Sequence, residues 1–257
     1  IRMNFGNTLQ AVLFDVDGTL ADTEQDGHRV AFNQAFKENG LNWQWSIELY
    51  GELLQITGGK ERIRYYMERY SPGLLNRNDL KDWIAHLHKT KTGFYEMLME
   101  KGSIPLRPGV VRLIHELRDK KIMLAIATTT TLENVTSLLK STLGEESIDW
   151  FDVIGAGDIV PMKKPAPDIY HWVLNQLKLD ARQCIAIEDS ENGLKSAMAA
   201  NLLTLITVNG YTHLQDFSGA LAILSDLGEP EKPFTQISGE TFKQQWIDYE
   251  ILNGLLK

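Results

Sequence analysis

The sequence predicts an α/β fold in which a parallel sheet, covered by helices, carries one inserted helical domain. Short apolar runs indicate buried parallel strands at 11–14, 122–127, 151–154, 184–187 and 202–208. Between the later runs, apolar residues recur at helical spacing within 110–117, 132–139, 169–177 and 194–198. Strands that alternate with helices of this length predict right-handed βαβ units, and therefore a Rossmann-like sheet with helices on both faces.

The inserted domain is indicated by the distance between the first two strands. About a hundred residues separate them, whereas a βαβ unit needs only about 30. The segment 25–104 has helical rather than strand patterning, and five of its aromatic residues could form a separate small core: Trp43, Trp45, Tyr65, Tyr66 and Trp83. We predict a helical domain at 25–104, a core domain made of 1–24 and 105–257, and a terminal helix over 239–257.

Charge and composition exclude several classes of partner. The net charge of −8 disfavours nucleic acid and anionic membranes as partners, because both require a basic surface. The single cysteine, Cys184, excludes a disulfide framework and suits a reducing compartment. With no apolar run of about 20 residues and no signal peptide, the expected location is the bacterial cytoplasm, or the plastid stroma if the chain is a processed eukaryotic form. We expect a monomer whose partner is a small molecule.

Polar residues follow the predicted strands at the points where the strands end. Ligands of open parallel sheets bind at the carboxyl ends of the strands. Six polar residues are expected there, four of them acidic: Asp15, Asp17, Thr128, Lys164, Glu188 and Asp189. Each is ordinary by itself, because an Asp-x-Asp pair can be a solvated loop and Lys164 a surface lysine. Their occurrence at successive strand ends favours a functional site.

The residue types at this edge suit phosphoryl chemistry with Mg²⁺. Carboxylates without histidine partners match the hard oxygen ligands that Mg²⁺ prefers. A lysine and a hydroxyl beside the metal can neutralise the oxygens of a phosphoryl group, and a carboxylate can attack its phosphorus. Residues two apart in an extended segment face the same side, so Asp17 can serve as acid and base beside Asp15. Gly18 permits a sharp turn after the pair.

The motif Asp15-Val-Asp17-Gly-Thr-Leu, with Thr128, Lys164 and Glu188-Asp189, resembles the four motifs of the haloacid-dehalogenase-like (HAD) superfamily of Mg²⁺-dependent phosphohydrolases. The resemblance implies that Asp15 is the nucleophile and a metal ligand, and that Asp17 is the acid/base and gives its backbone carbonyl to the metal. It also implies that Thr128 and Lys164 hold the phosphoryl group. The resemblance further implies that Asp189 completes the metal shell and that Glu188 acts through water. The insert resembles the cap domain of the β-phosphoglucomutase-like subgroup.

A closer resemblance covers about 11–233 and involves the CbbY-type xylulose-1,5-bisphosphate phosphatases, which remove an inhibitor of Rubisco. It is carried by segments beginning at Asp22, Tyr50, Asp216 and Ser225. Thr131 departs from the asparagine of many relatives. The adjacent lysines Lys163 and Lys164 leave open which of them contacts phosphate, with Lys164 preferred.

The inserted domain is expected to select the substrate. A second phosphate requires positive charge, which Lys60, Arg62 and Arg64 could supply, since Arg is suited to bidentate contact. The alternative is that these residues form a solvated helix face. Further substrate contacts are expected from Glu24, His28, Gly59 and Thr129, with Gly58 and Gly59 allowing close backbone approach.

Two alternatives to the phosphatase remain open. A sugar phosphomutase would return the phosphoryl group to a sugar, but Gly58 stands where mutases of the subgroup carry a cap lysine, and Lys60 is displaced by two positions. A catalytically inactive sugar-phosphate-binding protein would have no need of the nucleophile Asp15.

Overall fold

The computed structural model describes residues 8–102 and 104–257. Within them one seven-stranded sheet has the order β3-β2-β1-β4-β5-β6-β7, and its strands are β1 (Ala11–Phe14), β2 (Met123–Ala127), β3 (Val153–Gly155), β4 (Cys184–Glu188), β5 (Leu203–Thr207), β6 (Ala222–Leu224) and β7 (Gln236–Gly239). The strands pair in parallel except for β6 with β7. The predicted α/β class with a mostly parallel sheet is confirmed.

The described helices, in chain order, are α1 (Arg29–Glu38), α2 (Ile47–Leu53), α3 (Gly59–Tyr70), α4 (Leu80–Glu100), α5 (Val110–Asp119), α6 (Leu132–Leu143), α7 (Asp168–Leu177), α8 (Glu191–Ala199) and α9 (Tyr249–Gly254). The apolar stripes at 110–117, 132–139 and 169–177 form the buried faces of α5, α6 and α7. Alternate residues of β1 point to opposite faces of the sheet, so Val12 and Phe14 join one apolar cluster and Ala11 and Leu13 the other. None of the described helices is long and apolar enough to cross a membrane.

The segment between β1 and β2 is helical throughout its described elements and has an apolar core of its own. A π-helical turn (Glu24–His28) leads directly into α1. Phe32, Phe36, Trp45 and Tyr50 are almost completely buried in an apolar cluster to which α1, α2, α3 and α4 contribute. The second half of α4 differs, because Tyr95 and Met99 belong to the main core beneath the sheet. The helical insert is therefore packed firmly on the core by α4.

The predicted terminal helix is mostly wrong. Residues 236–239 form β7, and only Tyr249–Gly254 is helical. Between these elements the backbone pairs with the core rather than with itself, since Phe234 N donates to Gln245 O and Ile247 N to Leu227 O. Strands β6 and β7 were missed because a three-residue apolar run and an exposed polar edge strand give no clear periodic signal.

Candidate active site

The carboxyl ends of β1, β2 and β4 bring the predicted residues together. Strand β1 lies between β2 and β4, so Asp15, Thr128 and the pair Glu188-Asp189 emerge side by side at one edge of the sheet. All four side chains are buried. A cleft of about 330 Å³ above this edge is lined by Asp15, Asp17, Thr128, Lys164 and Asp189 from the sheet side. The two acids of the Asp-x-Asp pair thus face the same cleft.

Lys164, and not Lys163, lies in this site. Lys164 Nζ donates to Asp15 Oδ1 at 2.7 Å, Glu188 Oε1 at 2.5 Å and Ala127 O at 2.8 Å. Burial disfavours its ammonium form, but Asp15 and Glu188 outweigh that effect and raise the pKa of Lys164 above its ordinary range. Lys163 instead pairs with Asp158 at 2.8 Å. Of the two lysines only Lys164 therefore lies at the cleft, and its contact with phosphate stays a prediction.

Three buried carboxylates form a candidate metal centre. Ligand atoms of Asp15, Glu188 and Asp189 all lie within 4.8 Å of one another. Burial raises the pKa of Asp15 to about 7 and the pKa of Asp189 well above its ordinary value. Lys164 supplies one positive charge for three carboxylates, so their negative charge is only partly balanced. A set of oxygen donors with this deficit fits a divalent cation.

Hydrogen bonds and close packing orient the carboxylates. Glu188 Oε1 also accepts from Tyr170 OH at 2.6 Å, and Asp189 Oδ2 accepts from Asn209 Nδ2 at 2.7 Å. Gly18 has φ +89°, and a Cβ there would lie 2.3 Å from Asp189 Oδ2. Only glycine allows the loop after Asp17 to approach Asp189 so closely.

Asp17 accepts hydrogen bonds from two side chains. Its Oδ1 receives Thr23 Oγ1 at 2.5 Å and His28 Nε2 at 2.7 Å. Burial works against ionisation, but His28 and Thr23 outweigh it and lower the pKa of Asp17 to about 2. His28 Nδ1 lies 2.6 Å from Lys91 Nζ. An ammonium can only donate, so Nδ1 accepts and Nε2–H donates to Asp17.

The helical insert forms the opposite wall of the cleft. Arg62 of the insert and Glu24, at the start of the π-helical turn that leads into it, line the cleft together with Thr129 from the core. Tyr50 OH donates to Glu24 Oε2 at 2.5 Å and accepts from Arg62 Nη1 at 3.1 Å. Arg62 is nearly buried, and its Nε donates to Leu53 O at 3.2 Å. Arg62 is thus held rigidly at the cleft.

His28 and Gly59 line a smaller recess of about 40 Å³ beside the cleft. The recess shares Asp17, Glu24 and Arg62 with the larger cleft. His28 and Gly59 could therefore reach a substrate only through this recess, so their contact with substrate stays a prediction. His28 already contacts Asp17.

Two predicted cap cations lie elsewhere. Lys60 Nζ forms an ion pair with Asp158 of the core, and Arg64 pairs with Glu68 one turn along the exposed face of α3 at 3.1 Å. Residues two positions apart lie on nearly opposite faces of a helix. Of the three predicted cations Lys60, Arg62 and Arg64, only Arg62 therefore reaches the cleft. Thr131 caps α6, because its side chain accepts from Asn134 N.

Sequence reasoning missed several residues that orient the site. Tyr50, Tyr170 and Lys91 come from helices, where a tyrosine or a lysine gives no sign of its partner. Asn209 follows β5, so the rule that ligands bind at the carboxyl ends of strands could have identified it.

Metal binding should stabilise the folded protein in a pH-dependent way. The pKa of Asp15, raised to about 7 by burial, makes the metal-free folded state bind more protons than the unfolded state between about pH 4 and 7. Metal-free stability should therefore fall as pH rises through that window, and a cation should restore it. At 100 times its Kd, a divalent cation should raise Tm by about 5–10 °C at pH 7.5. At the same cation concentration, differential scanning fluorimetry should show a much smaller rise in Tm at pH 5. Equal rises in Tm at both pH values would contradict the assignment of this cluster.

The family model of haloacid dehalogenase-like hydrolases matches residues 9–201. The chain therefore belongs to the haloacid dehalogenase-like hydrolases. This family, together with the relatives of the chain described next, indicates that it is a phosphatase.

Among its relatives is the plasmid-encoded protein CbbY of Cupriavidus necator, which is 45% identical over 247 residues that cover 96% of each chain. Protein CbbY of Rhodobacter capsulatus is 47% identical over 85% of this chain and 94% of its own length. A crystal structure of a CbbY mutant from Rhodobacter sphaeroides in complex with xylulose-(1,5)bisphosphate superposes with a TM-score of 0.79 at 42% identity, covering 86% of this chain and 96% of that one. The predicted resemblance is confirmed.

Proposed function

We propose that this phosphatase hydrolyses sugar phosphates through an aspartyl-phosphate on Asp15, that Mg²⁺ is its metal, and that xylulose 1,5-bisphosphate is its substrate. Its role would be to remove an inhibitor of Rubisco. The observation that carries the proposal is the shared cleft, where Asp15, Asp17 and Lys164 from the sheet face Arg62 from the helical insert. The relative whose crystal structure holds xylulose bisphosphate supports the choice of sugar.

In the first half-reaction, an oxygen of Asp15 attacks the phosphorus, and the bond from phosphorus to the sugar oxygen breaks. Asp17 gives a proton to that leaving oxygen. Thr128 and Lys164 contact the phosphoryl oxygens, and the Lys164 ammonium offsets their negative charge. Asp15, Asp189 and the backbone carbonyl of Asp17 would hold the Mg²⁺, with Glu188 acting through water. When bound, the ion would supply positive charge beside the phosphoryl group and the nucleophile.

In the second half-reaction, Asp17 takes a proton from water, whose oxygen attacks the phosphorus and releases Asp15 and inorganic phosphate. The pKa of about 2 leaves Asp17 ionised in the free protein, which is the form that this step needs. The first step needs the protonated form. A substrate phosphate entering the same cleft brings negative charge, which favours protonation of Asp17.

A bisphosphate offers a second phosphate for the insert to bind. Arg62 is the cation of the insert at the main cleft, and its contacts with Tyr50 and Leu53 fix its direction. Glu24 lies on the same wall and accepts from Tyr50; its remaining lone pairs suit the hydroxyl groups of a sugar. The wall thus combines one phosphate-binding group with one hydroxyl-binding group.

Phosphate release from a panel of sugar phosphates tests the proposal. With Mg²⁺ present, we expect fast release from xylulose 1,5-bisphosphate and slow release from ribulose 1,5-bisphosphate, fructose 1,6-bisphosphate and β-glucose 1-phosphate. Conversion of β-glucose 1-phosphate to the 6-phosphate without phosphate release would identify a mutase instead. Binding of the sugars without turnover would favour the non-catalytic alternative.

Replacing Arg62 should impair bisphosphates selectively. A hydrogen bond to a charged group contributes about 1.5–3 kcal/mol, so Arg62→Ala should lower kcat/KM for xylulose 1,5-bisphosphate by about 10- to 100-fold. The value for p-nitrophenyl phosphate, which has no second phosphate, should change little. Arg64→Ala is the matched control, because Arg64 lies on the same helix and pairs with Glu68. Equal losses on both substrates would give Arg62 a structural role only.

A further inference from the structure

Arg107 lies where the chain returns from the helical insert to the core. At this point the two connections between insert and core pair with each other: Arg107 N donates to Leu20 O at 2.8 Å, and Ala21 forms an antiparallel bridge with Leu106. Only 8% of Arg107 is exposed. Its side chain enters the core directly beneath the loop that follows Asp17.

The guanidinium of Arg107 contacts several separate chain segments. Nη1 donates to Gly18 O and to Thr207 O and Oγ1, the latter two at 3.0 and 3.2 Å. Nη2 donates to Val208 O at 2.5 Å and to Ser225 O at 2.7 Å. One side chain therefore joins the loop after β1 to the ends of β5 and β6.

These contacts continue to the candidate metal centre. Gly18 O accepts from Arg107 and also from Asn209 Nδ2 at 3.4 Å, while the same amide nitrogen donates to Asp189 Oδ2 at 2.7 Å. Gly18 already lies too close to Asp189 to carry a Cβ. The peptide of Asp17, whose carbonyl is a proposed metal ligand, directly precedes Gly18. A shift of Gly18 would therefore move both Asp17 and Asp189.

We propose that Arg107 is a positioning residue for the metal centre, acting through the Gly18 carbonyl and Asn209 on Asp17 and Asp189. This inference rests on the proposed metal-dependent function. Groups that orient metal ligands typically contribute 10- to 100-fold to metal affinity.

The role requires an arginine and not merely a positive charge. The two Nη atoms serve different segments, Gly18 and Thr207 on one side and Val208 and Ser225 on the other, which the planar fork of a guanidinium can reach together. A single ammonium cannot span both groups. The nearest carboxylate partner, Asp22 at 3.4 Å, is largely exposed, so backbone carbonyls provide most of the compensation for the charge.

The test is to titrate the metal-free protein with Mn²⁺ and to measure the bound Mn²⁺ by electron paramagnetic resonance. Arg107→Lys should bind Mn²⁺ at least about 10-fold more weakly than the wild type. Its turnover should recover towards the wild-type kcat as Mg²⁺ is raised to saturation. Arg112→Lys is the control: Arg112 is also partly buried and joins α5 to Glu229 at 2.9 Å and Gly228 O at 2.8 Å, but has no contact with Gly18. It should lose stability without losing Mn²⁺ affinity.

A second variant keeps the proposal testable if Arg107→Lys does not fold. Asn209→Leu leaves the buried guanidinium in place and removes the amide that joins Gly18 to Asp189, so it should also bind Mn²⁺ at least about 10-fold more weakly. Wild-type Mn²⁺ affinity in either folded variant would overturn the proposal. A wild-type protein that binds no Mn²⁺ would instead refute the metal-dependent function on which the proposal rests.

Discussion

Asp15→Asn should reduce phosphate release from xylulose 1,5-bisphosphate by about 10⁴-fold or more, as the loss of a nucleophile does in other enzymes. The amide cannot form the aspartyl-phosphate, and it removes one of the three acids of the metal centre. Folding should be preserved, because the amide oxygen can still accept from Lys164 Nζ. Steady-state phosphate release and thermal unfolding of the same preparation provide the measurement.

The control for Asp15→Asn is Asp158→Asn, which removes a carboxylate that pairs with Lys60 and Lys163 outside the cleft. We expect that variant to keep most of its turnover. Turnover by Asp15→Asn within about 100-fold of the wild type would contradict the nucleophile assignment, since the remaining residues could not replace covalent catalysis.

Asp17→Asn should lower turnover by about 10²- to 10⁴-fold, the usual contribution of a general acid and base. Metal binding should persist, because the backbone carbonyl of Asp17 is unchanged. The defect should depend on the leaving group. A sugar oxygen needs a proton to leave, so phosphorylation of Asp15 by xylulose 1,5-bisphosphate should be slow; p-nitrophenolate leaves without one, so phosphorylation by p-nitrophenyl phosphate should remain fast.

Rapid-quench measurements separate the two steps for Asp17→Asn. With p-nitrophenyl phosphate, we expect a burst of p-nitrophenolate followed by slow turnover, because the variant also lacks the base that activates water. A burst of normal rate with the sugar bisphosphate would contradict the acid role. His28→Phe is a useful comparison, since it keeps a ring at this position, removes a donor to Asp17 Oδ1 and leaves both carboxylates in place.

The sheet edge was predictable because topology alone determines it. Parallel strands end at the same edge, so locating the strands was enough to place Asp15, Asp17, Thr128, Glu188 and Asp189 together. The sequence favoured Lys164 over Lys163 but could not exclude Lys163, because the path of the loop determines which of two neighbouring side chains turns inward.

The wall formed by the helical insert was less predictable. Lys60 and Arg62 have the same charge and lie on one helix, yet only Arg62 reaches the cleft, while Lys60 pairs with Asp158. Helix phase relative to a partner domain is set by tertiary packing, which local patterns do not encode. The burial of Lys91 against His28 could not be predicted for the same reason, since a lysine on a helix is ordinarily solvated.

The most direct test of the central claim is acid quenching of the wild-type protein during turnover of xylulose 1,5-bisphosphate radiolabelled on both phosphates, followed by peptide mapping. The account predicts that label appears on the peptide containing Asp15 before inorganic phosphate is released, and disappears as substrate is exhausted. Full-rate phosphate release with no labelled protein, or label on a peptide that lacks Asp15, would contradict it.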